Sequence, residues 1–437
     1  MANLDDLIRL ISDEIRQRRE EGCDVSGVEA RFNASSKEDV AELEVILKEL
    51  ESLPVRDDFP YIEPSTLDEI RVQRPDGPRR MGKLFREDYL LDKIYGAWLG
   101  RCAGCTLGKP VEGWHRSKIE EYLKLADAYP LEYYFPVLVP IPDGFPKHLE
   151  NHGCMKGRVK RMERDDDIDY TIMGLYILES RGPHFTTADV AEAWLDRLPY
   201  HMVYTAERVA YRNLVMGLQP PESATYGNPY REWIGAQIRA DCWGYVTPGY
   251  PELGAEFAFR DAVLSHVKNG IYGEMFVAAM LSAAFVTDDI EEIIRTGLSE
   301  IPAKSRLAEA IEDTIRWSRE CRTWQEAWER VNEKYGHYHG VHTINNAAVV
   351  CLGLLYGGGD FAETVSISVM GGWDTDCNGA TTGSIIGAVL GAGKLPSKWI
   401  DPLNDTVRSF VMGFDNSRIS DLAARTLKMA KVVLEGS

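Results

Sequence analysis

Apolar residues recur at every third or fourth position over most of this chain, and that spacing predicts helices. Leu4, Leu7, Ile8, Ile11 and Ile15 line one face of a first helix running to about Arg19. Val40, Leu43, Ile46, Leu47 and Leu50 line a second, from about Ser36 to Leu53, with Ser35 or Ser36 as its cap. Five prolines between Pro54 and Arg80 forbid a continuous helix, so that stretch reads as an extended connection. Leu90 to Leu107 is apolar with glycine at 96, 100, 104 and 108, a ridge without side chains where another backbone can approach closely. Glycine there costs a helix about 1 kcal/mol per position, which close packing must offset.

Residues 115 to 162, rich in proline and aromatics, read as a long loop or subdomain beside a pocket. Beyond them the helical spacing returns over Thr171–Leu178, Thr187–Leu195, Met202–Met216, Tyr272–Phe285, Ile290–Glu300, Arg306–Cys321, Trp324–Lys334, Asn345–Leu355 and Thr381–Ala392. No strand alternation is long enough to form a sheet, so the expected class is all-α.

Composition narrows the partners. A net charge of −19 argues against nucleic acid or an anionic membrane surface as the main partner. Eight scattered cysteines and a start of Met-Ala-Asn-Leu-Asp-Asp, neither basic nor apolar, make the cytoplasm the expected compartment. Cys102-Ala-Gly-Cys105 has no second pair for zinc, and the His337, His339 and His342 loop lacks a helical H-E-x-x-H pattern.

Two acidic clusters carry the candidate chemistry. Asp165-Asp166-Asp167 precedes one apolar helix, and Asp374 and Asp376 sit in the Gly-led turn Gly371 to Ala380 before another. Unit charges about 4 Å apart repel by ~4 kcal/mol at an effective dielectric near 20, which a divalent cation relieves. Oxygen-only ligation points to Mg2+ or Mn2+. Glu112 ends the loop after Gly108-Lys109-Pro110. Arg239, amid apolar and small residues, faces an internal carboxylate or a ligand's phosphate or carboxylate. His266, at a helix end, is a capping group or a ligand.

Taken together these segments resemble the ADP-ribosylglycohydrolase family, which includes the glycohydrolases that reactivate dinitrogenase reductase. Gly100-Arg-Cys-Ala-Gly104-Cys105-Thr-Leu-Gly108-Lys-Pro110-Val-Glu112 resembles the opening G-x-x-x-G-D-A-L-G-x-P-x-E. Asp165-Asp166-Asp167-Ile168 falls on T-D-D-T, Ile234 to Arg239 on N-G-A-x-M-R, Ser265-His266 on T-H, and Gly372 to Asn378 on G-G-D-T-D-T-N. The resemblance covers about residues 90 to 395. It divides the chain into an N-terminal helical extension (1–85), structural or oligomer-forming, and a catalytic domain (86–437).

The resemblance implies an orthogonal multi-helix bundle with two Mg2+ or Mn2+ ions, hydrolysing a glycosidic bond at the anomeric carbon of a ribose. It assigns metal to Asp165, Asp166, Asp167, Asp374, Asp376 and Cys377. Catalysis falls to Glu112, Asp166, Asp167 and Asp374, and substrate contacts to Arg239, His266 and Trp373. Several residues depart from the family pattern. Cys105 replaces an aspartate, Asp165 and Ile168 replace threonines, Trp373 replaces a glycine, Cys377 replaces a ligating threonine, and Ile234 replaces an asparagine. A thiol favours Mn2+ over Mg2+. The substrate expected first is an ADP-ribosyl adduct; a nucleoside-like ribosyl compound, or binding of ADP-ribose without catalysis, are the alternatives.

Overall fold

A computed structural model describes residues 4–82 and 86–436. Before residue 86 the chain forms α1 (Leu4–Glu20), α2 (Ser26–Ala34), α3 (Val40–Ser52) and the short α4 (Leu67–Gln73), whose Ile70 packs into the large core of the later helices. Leu7, Ile11 and Ile15 bury with Leu43, Ile46 and Leu50 around Val28 and Phe32, a small core of its own. The apolar spacing of α1 and α3 is therefore spent within the chain. An oligomer through these helices draws no support from that face.

Helix α3 starts one turn later than the serines predict, capped by Asp39, whose carboxylate accepts from the Glu42 amide at 3.1 Å. Helix α2 escapes the periodicity because nine residues give it only Val28 and Phe32 as buried positions. Helix α4 corrects the fully extended reading of residues 54–80: seven residues fit between prolines, and only Ile70 among them is buried.

The large domain opens with α5 (Glu87–Gly108) and α6 (Arg116–Leu125), then α7 (Asp166–Arg181), α8 (Thr187–Arg197) and α9 (Thr205–Val215). Helix α6 is the regular element inside the expected loop region, burying Ile119, Tyr122 and Leu123 at helical spacing. Next come α10 (Glu222–Thr225), α11 (Asp241–Tyr245), α12 (Pro251–Ala262), α13 (Asn269–Ala284), α14 (Ile290–Leu298) and α15 (Arg306–Glu320). The chain continues through α16 (Trp324–Tyr335), α17 (Thr343–Tyr356), α18 (Phe361–Met370), α19 (Thr375–Leu390), α20 (Ser397–Ile400) and α21 (Ile419–Glu435).

Among the described residues the only sheet is a hairpin, β1 (Thr406–Arg408) against β2 (Asn416–Arg418), paired antiparallel with Val407 opposite Ser417. The class is all-α. Helix α13 is buried along its whole length, as its run of alanines and absence of a polar face require. No helix among the described residues is long and apolar enough to cross a membrane.

What positions the site is the pairing of α5 with α19. A Cβ on Gly96, Gly100, Gly104 or Gly108 would lie 2.4, 2.0, 1.8 or 2.1 Å from the carbonyl oxygen of Gly387, Gly383, Gly379 or Thr375. The ascending numbers on one helix meet descending numbers on the other, so the two run antiparallel at backbone contact. That brings the end of α5 to the start of α19.

Candidate metal centre

Three chain segments converge where α5 ends. The loop after α5 carries Lys109 and Glu112, the turn before α19 carries Asp374 and Asp376, and the start of α7 carries Asp165 to Asp167. The first two are stitched by backbone: Trp373 donates to the Trp114 carbonyl at 2.9 Å, and Gly113 donates to the Trp373 carbonyl at 2.8 Å. Gly372 has φ +80°, and a Cβ there would stand 2.7 Å from the Trp114 oxygen, so only glycine allows the turn. Trp373 is itself held at φ +63°. Asn346, from α17, accepts from the Asp374 amide at 3.2 Å and from the Asn378 side chain at 2.8 Å, fixing the turn from behind.

The third segment is tied in by charge. Asp165 caps α7, accepting from the Asp167 amide at 3.0 Å, and its other oxygen is paired with the Lys109 ammonium. Lys109 also donates to the Arg164 carbonyl at 3.0 Å. Arg101, fully buried on α5, donates to the Asp167 carbonyl at 2.7 Å, lies 3.4 Å from its carboxylate and pairs with Asp241 at 2.7 Å. The Cys377 thiol donates to Asp167 Oδ2 at 3.3 Å.

Ligand atoms gather here in three sets, each within 4.8 Å: Glu112, Asp374 and Asp376; Asp167, Asp376 and Cys377; and Cys105, Asp165 and Asp167. Asp376 Oδ1 is buried with no hydrogen-bond partner. Such an atom costs free energy unless a cation or donor meets it. Asp166, partly exposed, belongs to none of the three sets.

The electrostatics agree with the geometry. Burial, reinforced by neighbouring carboxylates, holds Asp167, Asp374 and Asp376 well above the ordinary carboxylate range. Burial also raises Asp166, with Asp165 adding to it. Glu112 is exposed at the rim yet crowded from below, and partial loss of water, with the Asp374 and Asp165 charges, raises its carboxyl above the ordinary range against the opposing pull of Lys109. Asp165 alone goes the other way: burial would raise it, but Lys109 outweighs burial and holds it below its ordinary value. Burial, aided by Asp167, raises the Cys377 thiol well above its ordinary range, which keeps it the donor seen here.

The expected substrate residues are placed differently. Trp373, 8% exposed, packs at 5.6 Å between ring centroids against Trp328 beside the acidic turn. Arg239 pairs with carboxylates other than those of the cluster. Its guanidinium pairs with Asp261 and Glu207, each at 2.8 Å, and with Glu274 at 3.5 Å. Of its two sequence readings, the geometry is that of the internal carboxylate partner, and its donors are committed. His266 is fully buried, Nδ1 sharing a hydrogen bond of 2.8 Å with Ser265 Oγ, and it too lies outside the three sets. The loop histidines are engaged in ring contacts, His339 stacked on Trp233 and His342 on Tyr338.

Lys109, Arg101, Cys105 and Asn346 were not singled out as site residues by the sequence. A lysine between Gly108 and Pro110, three residues before Glu112, was the available signal for the first. Arg101 gave one too, as a charge interrupting an apolar glycine-spaced helix.

The family model for ADP-ribosylglycohydrolase matches residues 86–433. A solved structure described as an ADP-ribosylglycohydrolase-related protein complex aligns with a TM-score of 0.50 at 19% identity, covering 79% of this chain and 99% of that one. That likeness concerns the fold. No curated protein matches the sequence.

Proposed function

The chain belongs to the ADP-ribosylglycohydrolase family, and from that premise we propose a divalent-metal-dependent hydrolase that cleaves the glycosidic bond at the anomeric ribose carbon of an ADP-ribosylated substrate. The observation that carries this reading is the convergence of Glu112, Asp374 and Asp376, in which Asp376 also has a buried oxygen without a hydrogen-bond partner. The set is all oxygen, which suits Mg2+ or Mn2+.

Asp374 and Asp376, at the start of α19, are the principal metal ligands; Asp167 adjoins Asp376 from α7, and Asp166, outside the three sets, flanks it in sequence. The positive end of each helix favours carboxylates there. A bound divalent ion supplies Lewis acidity and makes water a stronger acid. Glu112, on the rim and poised near neutrality, takes the proton from the attacking water or returns it to the leaving group. Trp373, beside the acidic turn, is the residue proposed to contact the ribose or base. Arg239 and His266, both buried and bonded within the chain, are assigned a supporting role rather than a substrate contact. The cytoplasm stays the proposed compartment, with no nucleic-acid partner.

The test is incubation of the purified protein with Mg2+ or Mn2+ and either an ADP-ribosylated peptide or a panel of nucleosides, beside a D374A/D376A variant. Release of ADP-ribose by the wild type and its loss in the variant is the expected result. Absence of any released sugar, with tight ADP-ribose binding kept by the variant, sinks the enzyme reading in favour of a binding protein. A smaller ribosyl substrate is favoured by one observation: Ile234 is buried and its amide donates to the Val341 carbonyl at 2.9 Å, so this position offers a diphosphate no polar side chain. Release of ribose from a nucleoside alone would select that reading.

A further inference from the structure

The three sets of ligand atoms are not equivalent, and the difference lies in fixed positive charge. Asp165 has both oxygens committed, one to the Asp167 amide at 3.0 Å and the other to the Lys109 ammonium. Asp167 faces the Arg101 guanidinium at 3.4 Å with one oxygen and accepts from the Cys377 thiol with the other. The third member of that set, Cys105, is a fully buried thiol. Two built-in cations therefore serve the α7 side of the cluster. On the other side, Glu112, Asp374 and Asp376 have no lysine or arginine seated on them among the described residues; the Lys109 charge reaches Glu112 and Asp376 only through space, and Asp376 Oδ1 has no hydrogen-bond partner.

We propose that this centre holds a single divalent ion, on Asp374 and Asp376 with Glu112 beside it, and that the Lys109 ammonium stands in place of a second ion beside Asp165. The inference rests on the metal-site reading above and departs from the two ions that the family resemblance implies. The physical reason is that like charges compete for the same carboxylates. An ammonium already seated on Asp165 neutralises the charge that would attract a second ion, and repels an ion brought beside it. The extra carboxylate where the family carries threonine, and the lysine on the neighbouring loop, form one unit: each compensates the charge of the other. Lys109 is also joined through the chain to Glu112, so the stand-in cation and the proposed proton carrier ride on one short loop.

The test is metal stoichiometry by equilibrium dialysis of the full-length protein with Mn2+, with free Mn2+ read by its electron-spin resonance signal, for wild type, K109R and K109M. One ion per chain in wild type and K109R, with a second appearing in K109M, is the expected pattern. Two ions on the wild type, or one on K109M with unchanged affinity, overturns the role of Lys109 while leaving the metal site standing. No ion bound by any of the three overturns the metal reading itself, and this inference with it. Should K109M fail to fold, by its circular dichroism, the wild-type and K109R values decide alone.

Discussion

At the level of single residues the centre mixes legible and hidden chemistry. Asp165 to Asp167 and Asp374 with Asp376 stand out in the sequence because adjacent carboxylates repel and seldom gather without a cation. Lys109 does not stand out. Its partner Asp165 is far along the chain, and a lysine before proline looks like the end of a helix. Cys377 reads as a poor ligand, and the geometry adds that it spends its proton on Asp167. Replacing it with threonine supplies an oxygen at the same place. Because Cys377 is not among the ligands of the single proposed ion, we expect C377T to leave Mg2+ binding at one ion per chain with affinity essentially unchanged, measured by calorimetric titration.

Pairs of elements decide where those residues meet. The glycine spacing at 96, 100, 104 and 108 announces a close backbone approach, but not its target, since the matching glycines 379, 383 and 387 sit in a helix nearly three hundred residues on. Two opposed effects bear on Gly104→Ala. Helix propensity favours alanine by about 1 kcal/mol, whereas a methyl 1.8 Å from the Gly379 oxygen forces the helices apart at a cost of about 3 kcal/mol or more. The clash wins, and urea unfolding should show a net loss of roughly 2 kcal/mol or more with weakened metal binding. Gly27→Ala, in α2 with nothing within 4 Å, meets no clash and should gain up to about 1 kcal/mol from helix propensity alone.

The same two helices meet a buried lysine. Lys93 donates to the carbonyls of Ala284, Ala388 and Val389 at 3.2, 3.0 and 3.1 Å, capping the ends of α13 and α19. Burial, with Lys394 adding to it, brings its amine from 10.5 down to about 8. Between those two values the unfolded chain holds a proton that the folded chain releases, so this contribution to stability rises with pH across that window. Below it both states are protonated and the contribution is flat. The stability difference between wild type and K93M should therefore grow by up to ~3 kcal/mol from pH 8 to 10.5, read by urea denaturation.

On the scale of the whole molecule, the N-terminal extension is locked onto the large domain by buried charge. Arg231 pairs with Glu14 at 2.8 Å and Glu21 at 3.0 Å, and Gln17 donates to Glu232 at 2.7 Å. Arg306 joins Glu63 to Glu232, each at 2.7 Å. From sequence, Glu14, Gln17 and Glu21 belong to the polar face of an amphipathic helix and so to water. They are buried because their partners lie more than two hundred residues away, which no local pattern reports. Removing one member of such a pair strands the others. Arg231→Met should cost about 3 to 5 kcal/mol, and the loss should persist in high salt, where an exposed pair would be screened. If the extension is docked as described, wild type should melt in a single transition by scanning calorimetry; two separated transitions would show it to be an independent appendage.

The backbone contact between α5 and α19 has a consequence for how this centre diversifies. An interface made of glycine and carbonyl oxygen has no side-chain chemistry to retune, so the scaffold and the ligands it presents can change independently. Cys105, Lys109, Asp165 and Cys377 all depart from or elaborate the family's usual ligand set, yet the chain ends that carry them still meet. The helix pair works like an interchangeable tool mount: fixed in position, indifferent to the fitting.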